Sequence, residues 1–191
     1  MSKLRRGFQA SAVRLATSVR DELGLGHFEP LDPYKLAELY GVTVLGIEET
    51  GCSNAAVEHF AGASSTKFSG FVVRVGTRLT IIENRAHSTE RRRSTVAHEM
   101  SHVLLEHDFS MLITSEHTWT ARDGSVEGEA NWLAAELLLP QKAAQRAAMR
   151  GTAPHLVASA YGVSIEIATW RMNISGGQTI ARRAATKWLR S

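Results

Sequence analysis

Cysteine is almost absent from this chain, since Cys52 is the single one among 191 residues. No internal disulfide framework can form, which excludes the disulfide-rich secreted scaffolds and suits a reducing compartment such as the cytoplasm. The chain also lacks an apolar run long enough to cross a bilayer. Its basic N-terminus is not followed by the uninterrupted apolar stretch of a signal peptide. These absences predict a cytoplasmic protein without a membrane segment.

The length and composition are those of an ordinary folded domain. Of the 191 residues, 43% are hydrophobic and 21% are charged, which is enough to bury a proper core. The formal net charge is only +3, although the sequence pI is about 9.3. Basic residues cluster at positions 3–6, 91–93 and 171–190. Such clusters usually form solvated faces, and contact with nucleic acid is the alternative that charge leaves open.

Apolar residues recur at helical intervals over most of the chain. Proline and glycine mark the ends of several of these periodic segments, and Pro140 stops one of them. The predicted helices cover residues 7–23, 34–40, 94–106, 126–139 and, with breaks at 151–152, 162 and 176–177, residues 141–191.

Three short segments have β character, and the last two flank Gly76-Thr77. Glycine at the first central position of a two-residue loop favours a type II′ hairpin. Residues 48–69 are rich in Ser, Ala and Gly without a firm period, which predicts a mobile loop that holds Cys52 and His59. The predicted strands cover residues 42–45, 71–75 and 78–82.

The segment His98-Glu99-Met100-Ser101-His102 carries the most distinctive chemistry. Histidines four residues apart lie on one side of a helix, so their imidazoles can bind one zinc ion. Glu99 adjoins the first histidine and can act as general base on a water molecule whose proton affinity the zinc lowers. The alternative is a helix that carries these residues without a function. It is disfavoured because two histidines and a glutamate are costly to bury in a largely apolar segment.

A catalytic zinc site normally has three protein ligands and one open position. A metzincin would have glycine at position 105 and histidine at position 108, but this chain has Leu105 and Asp108, which excludes that class. The remaining common option is a carboxylate from the next helix, where Glu127 and Glu129 both offer one. Helical geometry favours Glu127, because it shares a face with small residues and with Asn131, which can accept a hydrogen bond from a ligating histidine.

The predicted hairpin fits a peptidase site, because an extended peptide can pair with an exposed edge strand. Residues 79–84 are the predicted edge. A hairpin that only supports the core is the alternative that remains open.

Segments along nearly the whole chain match a known pattern. They are Arg6-Gly7-Phe8, Leu31-Asp32-Pro33, Leu36-Ala37-Glu38, Ile81-Ile82-Glu83-Asn84, residues 95–105, residues 127–134 and Leu137-Leu138-Leu139-Pro140. Together they resemble the ImmA/IrrE family of bacterial metallo-endopeptidases. Taken together, the segments around His98 and Glu127 are much more specific for this family than the two histidines alone. Met100-Ser101 stands where relatives often have leucine-glycine, and no loss of activity is expected from these compact residues.

This resemblance implies an α+β fold with a zincin-like core, made of a small mixed sheet and the helix of the two-histidine motif. It implies that His98, His102 and Glu127 hold Zn2+ and that Glu99 is the catalytic base. Many family members cleave a helix-turn-helix repressor encoded beside them, which relieves repression after DNA damage or phage-related stress. Such a repressor is therefore the expected partner, and activation by single-stranded DNA, as in some relatives, is a further expectation.

Residues 156–164, followed by Trp170-Arg171-Met172-Asn173, resemble half of a helix-turn-helix unit. The chain is therefore predicted to divide into a metallopeptidase domain at residues 1–150, which includes the N-terminal helix, and a helical segment at residues 151–191. DNA contact is one interpretation of this segment, and a helical support for the active site is the preferred one. Its basic residues are Arg171, Arg182, Arg183, Lys187 and Arg190, against the single acid Glu166.

Cys52 has two interpretations. It is either a free thiol in a loop or a thiolate that occupies the open zinc position and holds the enzyme inactive. The group that stabilises the oxyanion is not identified by the sequence, and the unplaced candidates are His59, His87, His107 and Tyr161.

Three functions compete at this point. The first is a regulatory endopeptidase with few substrates, and the second is a DNA-binding regulator whose metal site is structural or vestigial. General proteolysis ranks last, because an unregulated protease in the cytoplasm would be toxic. Glu99 favours the first function, since a structural zinc has no use for a general base.

Overall fold

The computed structural model describes residues 4–61, 68–107 and 124–188. Within these ranges the chain forms nine α-helices and a three-stranded mixed sheet, which confirms the predicted α+β fold class. Lys3 and Arg190, counted above among the basic residues, and positions 62–67 of the predicted loop lie outside these ranges. None of the described helices is long and apolar enough to cross a membrane.

Helices alternate with strands in the first half of the chain, and the second half is helical. The elements that precede the two-histidine motif are α1 (Phe8–Glu22), α2 (Pro33–Leu39), β1 (Thr43–Gly46), α3 (Asn54–Ala61), β2 (Gly70–Val75) and β3 (Arg78–Glu83). The remaining elements are α4 (Thr89–Leu104), α5 (Gly124–Leu138), α6 (Gln141–Met149), α7 (Pro154–Tyr161), α8 (Ile165–Ile174) and α9 (Gly177–Trp188). The predicted breaks between the C-terminal helices are thus confirmed.

The sheet has the strand order β1-β3-β2, in which β3 pairs parallel with β1 and antiparallel with β2. The predicted hairpin is confirmed, and Gly76 in its turn has φ +62°, the sign that primed turns require. However, β3 is the central strand, so the prediction that residues 79–84 form the exposed edge is wrong. Among the described strands the edges are β1 and β2, and β2 lies beside α4.

Helix α3 occupies part of the segment that was predicted to be a mobile loop. Ser53 Oγ accepts a hydrogen bond from the first turn of the helix, and Phe60 packs edge-on against Phe68 with ring centroids 5.5 Å apart. The Asn84 side-chain amide donates to the carbonyls of Phe60 and Phe68, at 2.8 Å and 3.1 Å. The sequence pattern missed this helix because its stability comes from these tertiary contacts rather than from a regular apolar stripe.

Helix α4 begins at Thr89, earlier than the predicted start at Ser94. Ser88 caps the helix, and its side chain accepts a hydrogen bond from the backbone N–H of Arg91. The first turns are polar, so apolar periodicity alone could not detect them.

Arginines in these first turns fix α4 to the rest of the protein. Arg92 pairs with the buried carboxylate of Glu83 on β3 at 2.7 Å, and the Tyr34 hydroxyl on α2 donates to the same group at 2.8 Å. Burial, together with that hydrogen bond, raises the pKa of Tyr34 to about 12. Arg93 donates to the carbonyls of Leu31 and Gly162 at 2.7 Å and 3.1 Å. The interpretation of residues 91–93 as a solvated face is therefore wrong for two of its three arginines.

Arg171 was counted among the basic residues available for DNA contact, but its side chain is only 1% exposed. Its guanidinium forms an ion pair with the buried Glu136, donates to the Leu139 carbonyl at 3.1 Å and lies over the Trp132 ring. The expectation that Arg171 belongs to a solvated basic surface is thus wrong. The ion pair instead joins α8 to α5.

Two buried apolar clusters form the core of the described chain. The first joins α1, α2, β2 and β3 to α4 and α5, around residues such as Val19, Ile81 and Met100. The second joins α4 and α5 to α6, α7 and α8, around Leu138 and the small side chains of neighbouring alanines. This second cluster contains residues on both sides of position 150, and the division of the chain there remains a prediction.

The end of α7 offers a test of the contact between α4 and the C-terminal helices. Gly162 has φ +60°, and a Cβ at this position would lie 2.8 Å from Arg93 Nε, which is held by its own hydrogen bonds. Gly151 is a matched control, because it has φ +66° but open space around the same position. We expect Gly151→Ala to lower the free energy of unfolding by about 1 kcal/mol. Gly162→Ala should lower it by about 2–3 kcal/mol.

Urea denaturation of the two variants measures this difference. Equal losses at Gly162 and Gly151 would show that the Arg93 contact does not constrain the turn.

Candidate metal centre

Helices α4 and α5 bring three of the predicted site residues together. His98 Nε2 lies 3.2 Å from one carboxylate oxygen of Glu127, and His102 Nε2 lies 3.5 Å from the other. The two Nε2 atoms are 3.0 Å apart. Among the described residues, these three form a group whose potential ligand atoms all lie within 4.8 Å of one another.

The spacing of these atoms fits a tetrahedral metal ion. Zinc binds nitrogen and carboxylate oxygen at about 2.0–2.2 Å, so its ligand atoms are roughly 3.4 Å apart. The two Nε2 atoms, 3.0 Å apart, and the 3.2 Å between His98 Nε2 and Glu127 Oε2 lie close to that value. His102 Nε2 is nearest to the other carboxylate oxygen, Oε1, at 3.5 Å, so each histidine faces its own oxygen of Glu127. Two imidazoles and a carboxylate also match the ligand set of a catalytic site with one open position. His98, His102 and Glu127 therefore suit a metal ion in both spacing and chemistry.

The two glutamates considered as the third ligand have different surroundings. Glu129 is buried on another face of α5, where Arg5 binds both of its oxygens at 2.6 Å and 2.5 Å. This ion pair ties α5 to the segment before α1, and it lowers the pKa of Glu129. Glu127 instead faces the two histidines. The geometry is compatible with the choice of Glu127 over Glu129.

The electrostatics of the group suit metal binding. Hydrogen bonds from His102 and then from His98 lower the pKa of the Glu127 carboxyl well below its usual range, so the group is ionised as a ligand must be. The His102 side chain is completely buried, whereas those of His98 and Glu127 are 20% and 36% exposed. The group is therefore open on the side of His98 and Glu127, where a substrate can approach.

Glu99 is fixed by the edge strand of the sheet. Its side chain is buried, and its Oε2 accepts a hydrogen bond of 3.1 Å from the backbone N–H of Val72 on β2. Because the Val72 N–H donates to Glu99 on α4, it lies on the edge of β2 that is not paired with β3. The carboxylate thus lies where the edge of β2 meets α4, next to His98 in the sequence.

His107 has a position that the sequence could not predict. Glu106 follows α4 with φ +53°, a left-handed conformation that turns the chain back so that His107 N donates to the His102 carbonyl at 3.1 Å. The Nδ1 atoms of His102 and His107 are then 2.7 Å apart. If His102 Nε2 binds a metal, its Nδ1 carries the proton and donates to His107, which orients the ligand.

The other residues that the sequence singled out have different positions. Asn131, predicted as a hydrogen-bond partner of a ligating histidine, is exposed and lines the same cavity as His98, and its role as a partner stays a prediction. The Tyr161 hydroxyl donates to the Phe28 carbonyl at 2.9 Å. Cys52 is exposed, and its Sγ accepts a hydrogen bond from Thr50. Within the described chain, Cys52 is not part of the group that could hold a metal ion.

The choice between Glu127 and Glu129 can be tested by metal content. We expect Glu127→Ala to weaken zinc binding by more than the roughly 10–100-fold typical of partners outside the ligand set. Glu129→Gln should retain wild-type affinity, because its side chain faces Arg5 and the amide oxygen can still accept a hydrogen bond that holds α5 in place. Competition with a fluorescent chelator measures both affinities. Retention of zinc in the first variant and its loss in the second would reverse the assignment.

The role of His107 leads to a second measurement. His107→Ala removes the hydrogen-bond partner of His102 Nδ1, so zinc affinity should fall by roughly 10–100-fold while the helical content stays unchanged. His59→Ala, on the exposed face of α3, serves as a control for the loss of an imidazole. An unchanged zinc affinity in His107→Ala would exclude an orienting role.

Comparison with known proteins assigns the chain to a family. No individual curated protein matches the chain significantly. The sequence model of a peptidase family, M78, described as the IrrE N-terminal-like domain, matches residues 56–173. The match runs from α3 to the end of α8, and so includes the helices that carry all three residues of the candidate metal centre. Since it covers more than half of the chain, the protein belongs to the ImmA/IrrE family and is a metallopeptidase of that type.

Proposed function

We propose that the protein is a zinc-dependent, site-specific endopeptidase of the cytoplasm that cleaves a helix-turn-helix transcriptional repressor. Cleavage would relieve repression in a response to stress or to phage. The observation that carries the proposal is the convergence of His98, His102 and Glu127, at separations that suit a zinc ion. The family supports peptidase activity, and the identity of the substrate rests on the resemblance to family members that cleave repressors.

The proposed reaction is the hydrolysis of a peptide bond. When bound, zinc acts as a Lewis acid that polarises the scissile carbonyl and makes water more acidic. Glu99 accepts a proton as the water oxygen attacks the carbonyl carbon, and it returns that proton to the amine nitrogen as the C–N bond breaks. The hydrogen bond from Val72 N–H to Glu99 Oε2 orients the carboxylate for both transfers.

The edge of β2 is suited to align the substrate. The N–H groups of Gly70 and Arg74 face the same side as that of Val72, because residues two apart along a strand share an edge. An extended peptide that pairs with this edge would run beside α4 and past Glu99. This contact requires a substrate segment that can unfold locally into a strand.

The competing function, a DNA-binding regulator with a structural metal, has less support. A recognition helix presents basic or polar side chains to DNA. The start of α8 instead exposes Ile165 and the acidic Glu166, while its one arginine, Arg171, is buried. Glu99, the residue that follows His98 in the sequence, also favours catalysis, since a structural zinc has no use for a general base. Activation by single-stranded DNA remains an expectation.

The role of Glu99 can be separated from metal binding. Glu99→Gln keeps the size of the side chain but removes the base, so we expect unchanged zinc content and a loss of cleavage rate of roughly 10²- to 10⁴-fold. Glu38→Gln, an exposed glutamate on α2, is the matched control. Zinc is measured by elemental mass spectrometry, and cleavage by the intact mass of the repressor. If Glu99→Gln cuts at the wild-type rate, Glu99 is not the base.

The proposed substrate class is tested by isolating the neighbouring gene and, where it encodes a helix-turn-helix repressor, mixing that repressor with this protein. We expect the zinc-loaded wild type to cut that repressor at one bond and to leave unrelated folded proteins intact. Cleavage of the unrelated proteins at a similar rate would instead indicate general proteolysis.

A further inference from the structure

A cavity opens directly beside the candidate metal centre. It has a volume of about 310 Å³ and lies between α4, α5 and α8. His98 forms part of its lining, so the cavity and the metal group share a side chain. Nothing in the proposed chemistry uses this space.

The lining of the cavity is mostly apolar, and its polar members are Ser94, His98 and Asn131. Leu138, which is 1% exposed, and the small Ala134 and Ala135 form buried apolar walls on α5. Ile167 and Trp170 of α8 contribute two large apolar side chains. None of the lining residues has a carboxylate, guanidinium or ammonium group. A space of this composition favours an apolar occupant, because most of its lining offers no partner to a charged or polar group that has lost its hydration.

The volume of the cavity limits the size of the group that can occupy it. A cavity of roughly 150 Å³ holds a benzene molecule, so about 310 Å³ accommodates a large aliphatic or aromatic side chain. Such a side chain can reach it from a peptide whose scissile bond lies at the metal group, because His98 belongs to both. The cavity also adjoins a wider groove of about 700 Å³ between α4 and the α7–α8 turn, with Ser94 and Ile167 common to both. The rest of the substrate chain therefore has an open path.

We propose that this cavity is the main specificity pocket of the enzyme and that it binds a large apolar side chain of a residue next to the cleaved bond. Helix α8 acts in substrate selection, since Ile167 and Trp170 form the wall opposite α4 and α5. The proposal rests on the proposed peptidase function. It adds the class of side chain that the substrate carries at one position next to the cleaved bond.

Binding to the cavity can be measured without catalysis. The probe is N-acetyl-leucine amide, compared with N-acetyl-aspartate amide, and the reporter is the indole N–H signal of Trp170 in NMR spectra of the full chain. Trp170→Phe identifies that signal by its disappearance. We expect the leucine probe to shift the Trp170 signal and the aspartate probe to leave it unchanged.

Substitutions at the mouth and in the wall of the cavity test whether the probe binds there. Ser94→Leu should fill the mouth of the cavity and abolish the shift, while Thr89→Leu, an exposed position outside the cavity on the same helix, should leave it as in the wild type. Ile167→Ala enlarges the space and should retain binding. Thermal unfolding checks that each variant is folded. An absent shift in the wild type, an equal shift with aspartate or a retained shift in Ser94→Leu would overturn the proposal.

Cleavage supplies the second measurement. The substrates are peptides that span the cleaved bond of the repressor, in which each flanking residue is varied in turn to Leu, Phe, Ala and Asp. At one flanking position, Leu or Phe should give a kcat/KM at least about tenfold above that of Ala, the size of effect that methylene groups have in apolar pockets. Ser94→Leu should remove this preference, and Ile167→Ala should shift it toward larger side chains.

The two measurements distinguish the possible failures. If the wild type cleaves these peptides without a preference for apolar residues at either position, the specificity pocket is wrong while the peptidase function stands. If neither the repressor nor any peptide is cleaved, the proposed function fails, and the NMR titration still decides whether the cavity binds an apolar side chain.

Discussion

The packing of α4 against α5 is the contact on which the candidate site depends. His98 and His102 belong to one helix and Glu127 to the other, so the separations of 3.2 Å and 3.5 Å between the imidazoles and the carboxylate oxygens exist only while the two helices stay close. Small buried residues, among them Ala97 on α4 and Ala134 on α5, allow this close approach. Two charged contacts then fix the helices from outside: Arg92 to Glu83 holds α4 on the sheet, and Arg5 to Glu129 holds α5 against the segment before α1. The geometry of the metal group is therefore a property of the whole core.

The C-terminal helices are joined to this core by buried polar contacts as well as by apolar packing. The ion pair between Arg171 and Glu136 is almost completely removed from water, and both partners are held further by backbone groups. A buried pair of this kind adds little net stability compared with apolar residues of the same volume, but any arrangement that separates the partners leaves an uncompensated charge inside the protein. It therefore disfavours alternative positions of α8. Since Trp170 adjoins Arg171 and lines the cavity beside His98, this constraint extends to the surroundings of the metal group.

Features that depend on local interactions were predictable from the sequence, whereas features that depend on contacts between distant segments were not. The helices around His98 and Glu127, the hairpin turn at Gly76 and the break at Gly162 depend on local periodicity and backbone conformation, and the sequence indicates them correctly. The central position of β3 depends on its pairing with β1, a contact between distant segments, and the edge was therefore misassigned. Helix α3 was missed because side chains from other segments, such as Asn84, stabilise it. The proximity of His107 to His102 follows from a single left-handed residue, Glu106, for which no residue preference gave a signal.

The hydrogen bond between Val72 and Glu99 has a consequence for how sequences of this kind can diverge. The donor is a main-chain N–H, which every amino acid except proline provides. The side chain at position 72 can therefore change with the packing of the sheet without loss of the contact that orients the carboxylate. An orienting group of this type is maintained by the path of the backbone, and an alignment of related sequences would show no invariant residue to mark it.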